Sequence, residues 1–368
     1  MFNLKKKSFK QFDFILLITV LILCGFGLLM IKSATLSFGS ARYVKSQAIA
    51  IALGLAAIAF LTFLDYELLG KLYIPIYIIC NALLLATLLW GFGEDDWGAR
   101  SWLEIGPLIF QPSEFVKVGL IISLSKFIDN HKETINEPFT LLKILGFAAL
   151  PVFFIYKEPD LGTSAVFVFF IAIMLFTAGL DWRYIGYALG AGLAALPVLW
   201  FKLGGYQMNR IFDFLNPERD PTGTGYQALQ GKIAVGSGKL FGRGLFKGVF
   251  TQFDYVPEQQ TDFIFTVIAE ELGFIGGIAL IILYFILLYR LIQIARHSED
   301  LFGSTMVIGF ASMFLIHIWE SIGMTIGLMP ITGIPLPFVS YGGTFLLMNM
   351  ICIGISLSVG MSRKGLNF

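Results

Sequence analysis

Charge is scarce in this chain. Only 14% of its 368 residues are Asp, Glu, Lys or Arg, against roughly 25% in an ordinary soluble domain. The 26 basic and 25 acidic residues nearly cancel, and no nucleic-acid partner is expected. Cysteine is rarer still: Cys24, Cys80 and Cys352 each fall inside an apolar run, where they act as small hydrophobes and imply no redox role. The three histidines, His131, His297 and His317, are scattered over different loops and apolar runs, which leaves no histidine metal site to expect. There is no soluble domain, no tandem repeat and no low-complexity tail. GSGKLFGRG is no phosphate-binding P-loop, because Ile233 stands where the first Gly is needed and Leu240 where Ser or Thr would hold magnesium. A dinucleotide fingerprint is missing as well.

What the chain has in quantity is apolar length. With 57% hydrophobic residues and a mean hydropathy of +0.78, it reads as an all-α, polytopic integral membrane protein. Stretches long enough to cross a bilayer fall near 12–32, 45–64, 72–92, 114–128, 141–156, 161–180, 184–203, 263–289, 304–328 and 338–361. Ten spans put both termini on one side. Lys5, Lys6, Lys7, Lys10, Lys71, Lys126, Lys132, Arg183, Arg290, Arg296, Arg363 and Lys364 would share that side, against chiefly Arg42, Lys45 and Arg100 opposite. The basic side is cytoplasmic by the positive-inside rule. The first run is too long for a signal-peptide core and lacks a convincing small-residue cleavage site, so it reads as a retained anchor.

Residues 1–368 thus form one membrane domain, with one long extracytoplasmic loop at 204–262 and shorter external loops near 93–113 and 329–337. The long loop interleaves Tyr206, Phe212, Phe214, Tyr226, Phe241 and Phe246 with Arg210, Arg219, Lys232, Lys239, Arg243 and Lys247. That pattern suits a segment lying on a membrane surface and meeting anionic head groups, though a solvated connector would show some of it too.

Ionisable groups at membrane depth cost several kcal/mol unless paired or wetted, so each one is informative. In QPSEFVK, Glu114 and Lys117 lie three apart on one helical face; they either form a structural ion pair or line a polar cavity behind Pro112. In PEQQTDFIFTVIAEELG, Asp262 stands at the threshold of an apolar run that also contains Glu270 and Glu271. At 100° per residue, Glu270 lies about 80° from Asp262 and Glu271 nearly opposite. The three carboxylates therefore form no single cluster. Asp262 could simply cap the helix. It could also be a proton acceptor whose pKa desolvation raises, with Glu270 and Glu271 satisfying partners elsewhere. KEPDLGTSAVF, with Lys157, Glu158 and Asp160, and PITGIPLPFVSYGG, with three prolines and then Ser340, are bends that either end helices or line a cavity with irregular backbone.

GARSWLEIGPLIFQPSEFVK, EPDLGTS, NRIFDFLNPERDPTGTGYQALQGKIAVGSGKLFGRGLF, VPEQQTDFIFTVIAEELGFIGG and GMTIGLMPITGIPLPFVSYGG, in this order, resemble the SEDS (shape, elongation, division and sporulation) family of bacterial cell-wall proteins. The elongation branch is the better match. The resemblance implies a peptidoglycan glycosyltransferase of the bacterial cytoplasmic membrane that polymerises lipid II into glycan strands with the elongation machinery. A class B penicillin-binding protein transpeptidase would be its partner. It further implies Asp262 as the catalytic residue, with Glu114, Lys117, Arg210, Asp160, Arg100 and Ser340 for substrate. No cofactor is certain; a divalent cation, Mg or Mn, could assist. Two positions depart from the family pattern: Ser321 stands where Asn usually precedes IGM, and Gly231 where Gln-Ser is common after GYQ. A flippase for the same lipid is the rival reading, since buried charge and bends mark transport paths as readily as active sites.

Overall fold

The computed structural model describes residues 11–93, 100–106, 108–202 and 205–362. Lys5, Lys6, Lys7, Lys10, Arg363 and Lys364, which carried part of the charge-asymmetry reading, lie outside the described residues. Long helices dominate: α1 (Phe14–Ala34), α2 (Ser40–Phe63), α3 (Tyr73–Trp90), α4 (Pro112–Asp129), α5 (Pro138–Lys157), α6 (Leu161–Thr177), α7 (Trp182–Lys202), α8 (Gly205–Leu215), α9 (Thr224–Ser237), α10 (Ile264–Arg296), α11 (Leu301–Thr325) and α12 (Gly343–Met361). All but α8 and α9 correspond to the ten expected spans. Seven of the ten are long and apolar enough to cross a bilayer on those grounds alone. The polar α4, the 17-residue α6 and α7 complete the set.

Enclosure differs sharply along the chain. In α12, 83% of the apolar window is buried, against 17% in α3, so α12 stands at the centre and α3 at the lipid-facing edge. Small residues allow the close approaches: a side chain at Gly354 would meet Ile58 Cα at 3.0 Å, and one at Gly54 would overlap the Met350 side chain. Thus α2 runs along α12, while α4, α6 and α10 pack on α11 and α1 packs on α10. Asp13 holds the start of α1 twice over, accepting from Leu16 N–H at 2.9 Å and from Arg290 on α10 at 2.6 Å.

Three boundaries differ from the sequence expectation by five residues or more, the first being that α2 starts at Ser40 rather than at 45. The last helix starts at Gly343 rather than at 338, because Leu336 N–H donates to Ser340 Oγ at 2.8 Å and Ser340 Oγ donates to Thr261 C=O at 2.5 Å. These bonds hold 336–340 as a turn. The helix expected over 263–289 runs instead to Arg296, and Gly273 (φ 67°, ψ −164°) breaks it.

The segment after α9 fills that break. Arg243 N–H and Gly244 N–H donate to the carbonyls of Glu270 and Glu271 at 2.9 and 3.0 Å, while Phe274 N–H and Ile275 N–H donate to those of Lys239 and Leu240 at 2.8 and 3.2 Å. Backbone groups orphaned by the break are thereby satisfied. The glycines of GSGKLFGRG serve this contact: a side chain at Gly242 (φ 77°) would sit 2.1 Å from Glu271 O, and one at Gly238 1.9 Å from Ala269 O. In the 93–113 loop, Leu103–Ile105 pairs antiparallel with Leu108–Phe110, a short hairpin that delivers the chain to Pro112 at the first turn of α4.

Candidate active site

Asp262 is held by a turn whose other residues are all engaged in shaping it. Gln259 is fully buried and donates to Ala34 C=O at 2.9 Å and Thr251 C=O at 3.0 Å. Gln260 C=O accepts from Tyr341 N–H at 2.9 Å, Thr261 C=O from Ser340 Oγ, and the Glu258 carboxylate from Thr261 Oγ1 at 2.9 Å. Phe263 packs under Gly231, where a side chain would lie only 3.0 Å from the ring. At the departure from the family pattern, glycine thus lets α9 close over the turn. Asp262 itself caps nothing: α10 begins at Ile264 with Phe263 in the cap position and no side-chain cap bond. Among the described residues no hydrogen bond engages its half-buried carboxylate. Burial pushes this carboxyl up to about 7, with Glu258 adding to the rise and Arg210 opposing it.

The second polar cluster lies between α4 and α11. Lys117, 1% exposed, donates to Glu114 at 2.7 Å and to His317 Nε2 at 3.1 Å, and its ammonium stands 5.6 Å from the centre of the Phe345 ring. An ammonium only donates, so Nε2 accepts and the ring proton sits on Nδ1. That nitrogen is buried without a partner among the described residues, as are Ser113 Oγ, Glu320 Oε2, Ser321 Oγ and Asn349 Nδ2.

A two-residue bridge joins the clusters. Asp160 caps α6 through Thr163 N–H at 2.9 Å and accepts from Gln111 at 3.4 Å. Two residues on, Gly162 lies under Thr332, whose Cβ is 3.0 Å from where a Gly162 side chain would begin. The next residue, Gly333 (φ 72°), leaves only 3.4 Å between its own absent side chain and Asp262 Oδ2. Beside Asp160, Glu158 is 1% exposed and is pushed up to about 9 by burial and then by the Asp160 charge.

The expected residues therefore separate into groups. Asp262, Ser340 and Arg210 meet at the turn, Ser340 through the backbone and Arg210, on α8, through its field. Glu114 and Lys117 meet each other, and Asp160 adjoins both regions. Arg100 is exposed beside Gly91, outside the contacts that shape either cluster. Sequence reasoning missed His317, which it weighed only as a metal ligand, although an ionisable group in an apolar helix was signal enough. It also missed Lys232, whose stem crosses Gly327 (φ 74°) so closely that any side chain there would overlap it; with Arg210 and Asp213 it lines a narrow cavity. Glu270 and Glu271 bind mainly the loop: Glu270 accepts from Phe250 N–H at 2.8 Å and Thr251 N–H at 2.9 Å, and Glu271 from Phe246 N–H at 3.0 Å and Ser33 Oγ at 2.6 Å. Among the described residues no three His, Cys, Asp or Glu side chains gather as metal ligands.

Fold and site define a helical membrane protein with one group of ionisable side chains at the Asp262 turn and another between α4 and α11. The chain belongs to the cell cycle protein family of FtsW, RodA and SpoVE, which it matches over residues 14–365. It is 40% identical over 297 residues to the peptidoglycan glycosyltransferase MrdB of Escherichia coli K12, a match covering 79% of this chain and 78% of that protein. It superimposes with a TM-score of 0.83 on a chain from a peptidoglycan synthase complex that coordinates polymerization and crosslinking, at 30% identity over 95% of this chain and 97% of the other. Against the rod shape determining protein RodA of Thermus thermophilus the TM-score is 0.72 at 29% identity, covering 96% and 98%.

Proposed function

We propose that this protein is a peptidoglycan glycosyltransferase that polymerises lipid II into glycan strands for cell-wall elongation, acting on the extracytoplasmic face of the bacterial inner membrane with both termini cytoplasmic. The observation that carries this reading is the Asp262 carboxylate: it is raised to about 7 and left unengaged in a turn that its neighbours hold rigid. Asp262 takes the proton of the acceptor GlcNAc 4-hydroxyl as that oxygen bonds to the anomeric carbon of the donor MurNAc. The bond from that carbon to the diphosphate oxygen breaks, lipid diphosphate leaves, and the anomeric configuration inverts. General-base assistance contributes about 10²- to 10⁴-fold, and alignment of two lipid-held sugars supplies much of the rest.

Arg210 is the cation best placed for the departing diphosphate, since its charge reaches Asp262. Lys117 is committed to Glu114 and His317, which suits it to tying α4 to α11 beside the site. Among the described residues no three-ligand set gathers, so a divalent ion, Mg or Mn, would be held chiefly by the substrate diphosphate. A class B penicillin-binding protein is the proposed transpeptidase partner, a pairing that the similarity to a polymerizing and crosslinking complex supports.

The test is polymerisation of purified lipid II by the detergent-solubilised protein, with and without that partner, comparing wild type with Asp262→Asn. Strands from wild type and about 10²- to 10⁴-fold slower strand formation by the variant are expected. Equal product from both would remove Asp262 as the base.

A further inference from the structure

The break in α10 fixes a level in the bilayer. From Gly273 to Arg296 the helix rises roughly 34 Å at 1.5 Å per residue, close to the ~30 Å of a hydrocarbon core. With one boundary between Arg290, which pairs with Asp13 at the start of α1, and Arg296, Gly273 falls within about 5 Å of the other. Below the break an exposed stripe of Phe274, Ile278, Ile281 and Phe285 runs down the lipid-facing side of α10 at helical spacing. Above it, every residue from Ile264 to Glu271 is buried in protein.

Residues 239–243 are bonded edge-on to this level, through Phe274 N–H to Lys239 C=O and Ile275 N–H to Leu240 C=O. The contact sets Leu240 and Phe241, 59% and 79% exposed, beside Phe274 and Ile275, at 62% and 53%. They extend the stripe outward as one apolar patch. Lys239 and Arg243 flank it and are exposed; among the described residues neither has a carboxylate within ion-pair distance.

We propose that residues 239–243 are an interfacial anchor: Leu240 and Phe241 enter the hydrocarbon boundary, and Lys239 and Arg243 meet the phosphates of anionic lipids. Lipid is favoured over a protein occupant because the patch continues the stripe that lipid already covers, and because apolar side chains flanked by cations are the composition of an interfacial segment. The anchor would fix the near end of the stretch that Glu270 and Glu271 bind at 243–251. This inference does not depend on the proposed catalysis.

The experiment places a nitroxide on the full-length protein at Phe241→Cys, the native cysteines being buried. Reference labels go on Thr222→Cys, in an exposed turn, and Phe285→Cys, on the stripe. Accessibility to oxygen and to a nickel chelate is read in phosphatidylcholine liposomes, with and without about 30% phosphatidylglycerol. The oxygen-to-nickel ratio at 241 should approach that at 285 and exceed that at 222 severalfold. It should rise further with phosphatidylglycerol, and this increment should vanish in Lys239→Gln/Arg243→Gln. A ratio equal to that at 222 in both lipids would overturn the proposal. So would a label shielded from both reagents only after the transpeptidase partner is added.

Discussion

With Asp262 as the proposed base, the burial that lifts its carboxyl predicts how activity depends on pH. A base must be unprotonated to accept a proton, so with a pKa of about 7 its active fraction climbs from about 10% at pH 6 to about 90% at pH 8. Initial rates of lipid II consumption should rise through that window in wild type. Residual activity of Asp262→Asn should not, and should lie about 10²- to 10⁴-fold lower. The stability consequence has the opposite sense. Because the folded carboxyl is raised above its unfolded value, the native state holds its proton more tightly, and stability falls as pH rises from about 4 to about 7. Asp262→Asn should therefore melt higher than wild type at pH 8 and lose that advantage near pH 4. Identical melting curves at both pH values would argue that the side chain is better hydrated than its surroundings suggest.

The Glu114–Lys117 pair makes a second claim at this scale. Removing one partner of a buried pair leaves the other charge uncompensated, at a cost of about 3–5 kcal/mol. Both Glu114→Gln and Lys117→Met should be destabilised by amounts of that order in chemical denaturation, with the double variant losing clearly less than the sum. An additive double variant would mean that each side chain is satisfied by water or by another residue.

Among the elements, the turn at 336–341 is bonded to the backbone beside the proposed base Asp262. Ser340→Ala removes the bond to Thr261 C=O and the acceptor for Leu336 N–H, loosening the backbone one residue from Asp262. The expected result is a kcat lower by about tenfold with KM unchanged; a change confined to KM would place Ser340 in substrate binding instead. This scale also shows what one dimension reveals. The spacing of QPSEFVK put Glu114 and Lys117 on one helical face because i and i+3 share a face by geometry, and the apolar runs marked the spans because lipid demands such lengths. His317, 200 residues from Lys117, could not be joined to it without knowing that α4 and α11 pack together. Helical phase likewise separated Asp262 from Glu270 and Glu271, but the break at Gly273 and the segment filling it required the pairing of 239–244 with 270–275. The glycines hinted at close approach without naming the neighbour.

For the whole molecule, the depth of charge separates a polymerase from a transporter. A lipid flippase needs polar contacts reachable from both faces. Here the Glu114–Lys117 ion pair lies in the first two turns of α4, and His317, which accepts from Lys117, lies about two turns from the end of α11. Further along, the described residues of α4 offer Ser123 and Ser125, whose hydroxyls donate to carbonyls of their own helix, before Lys126 pairs with Asp129. Ser312 and Ser356, on α11 and α12, turn their hydroxyls inward on their own helices in the same way. Such a stretch offers an anionic sugar diphosphate no replacement for water, at a desolvation cost of several kcal/mol per charge. Proteoliposomes holding the protein and its partner should therefore elongate glycan strands from lipid II while moving a fluorescent lipid II analogue between leaflets no faster than protein-free vesicles. Asp262→Asn should slow strand formation about 10²- to 10⁴-fold and leave the leaflet exchange unchanged. Rapid exchange that survives Asp262→Asn but is lost in Lys117→Met would mean that a polar path through the Lys117 cluster crosses the bilayer, and the transporter reading would then account for the buried charge.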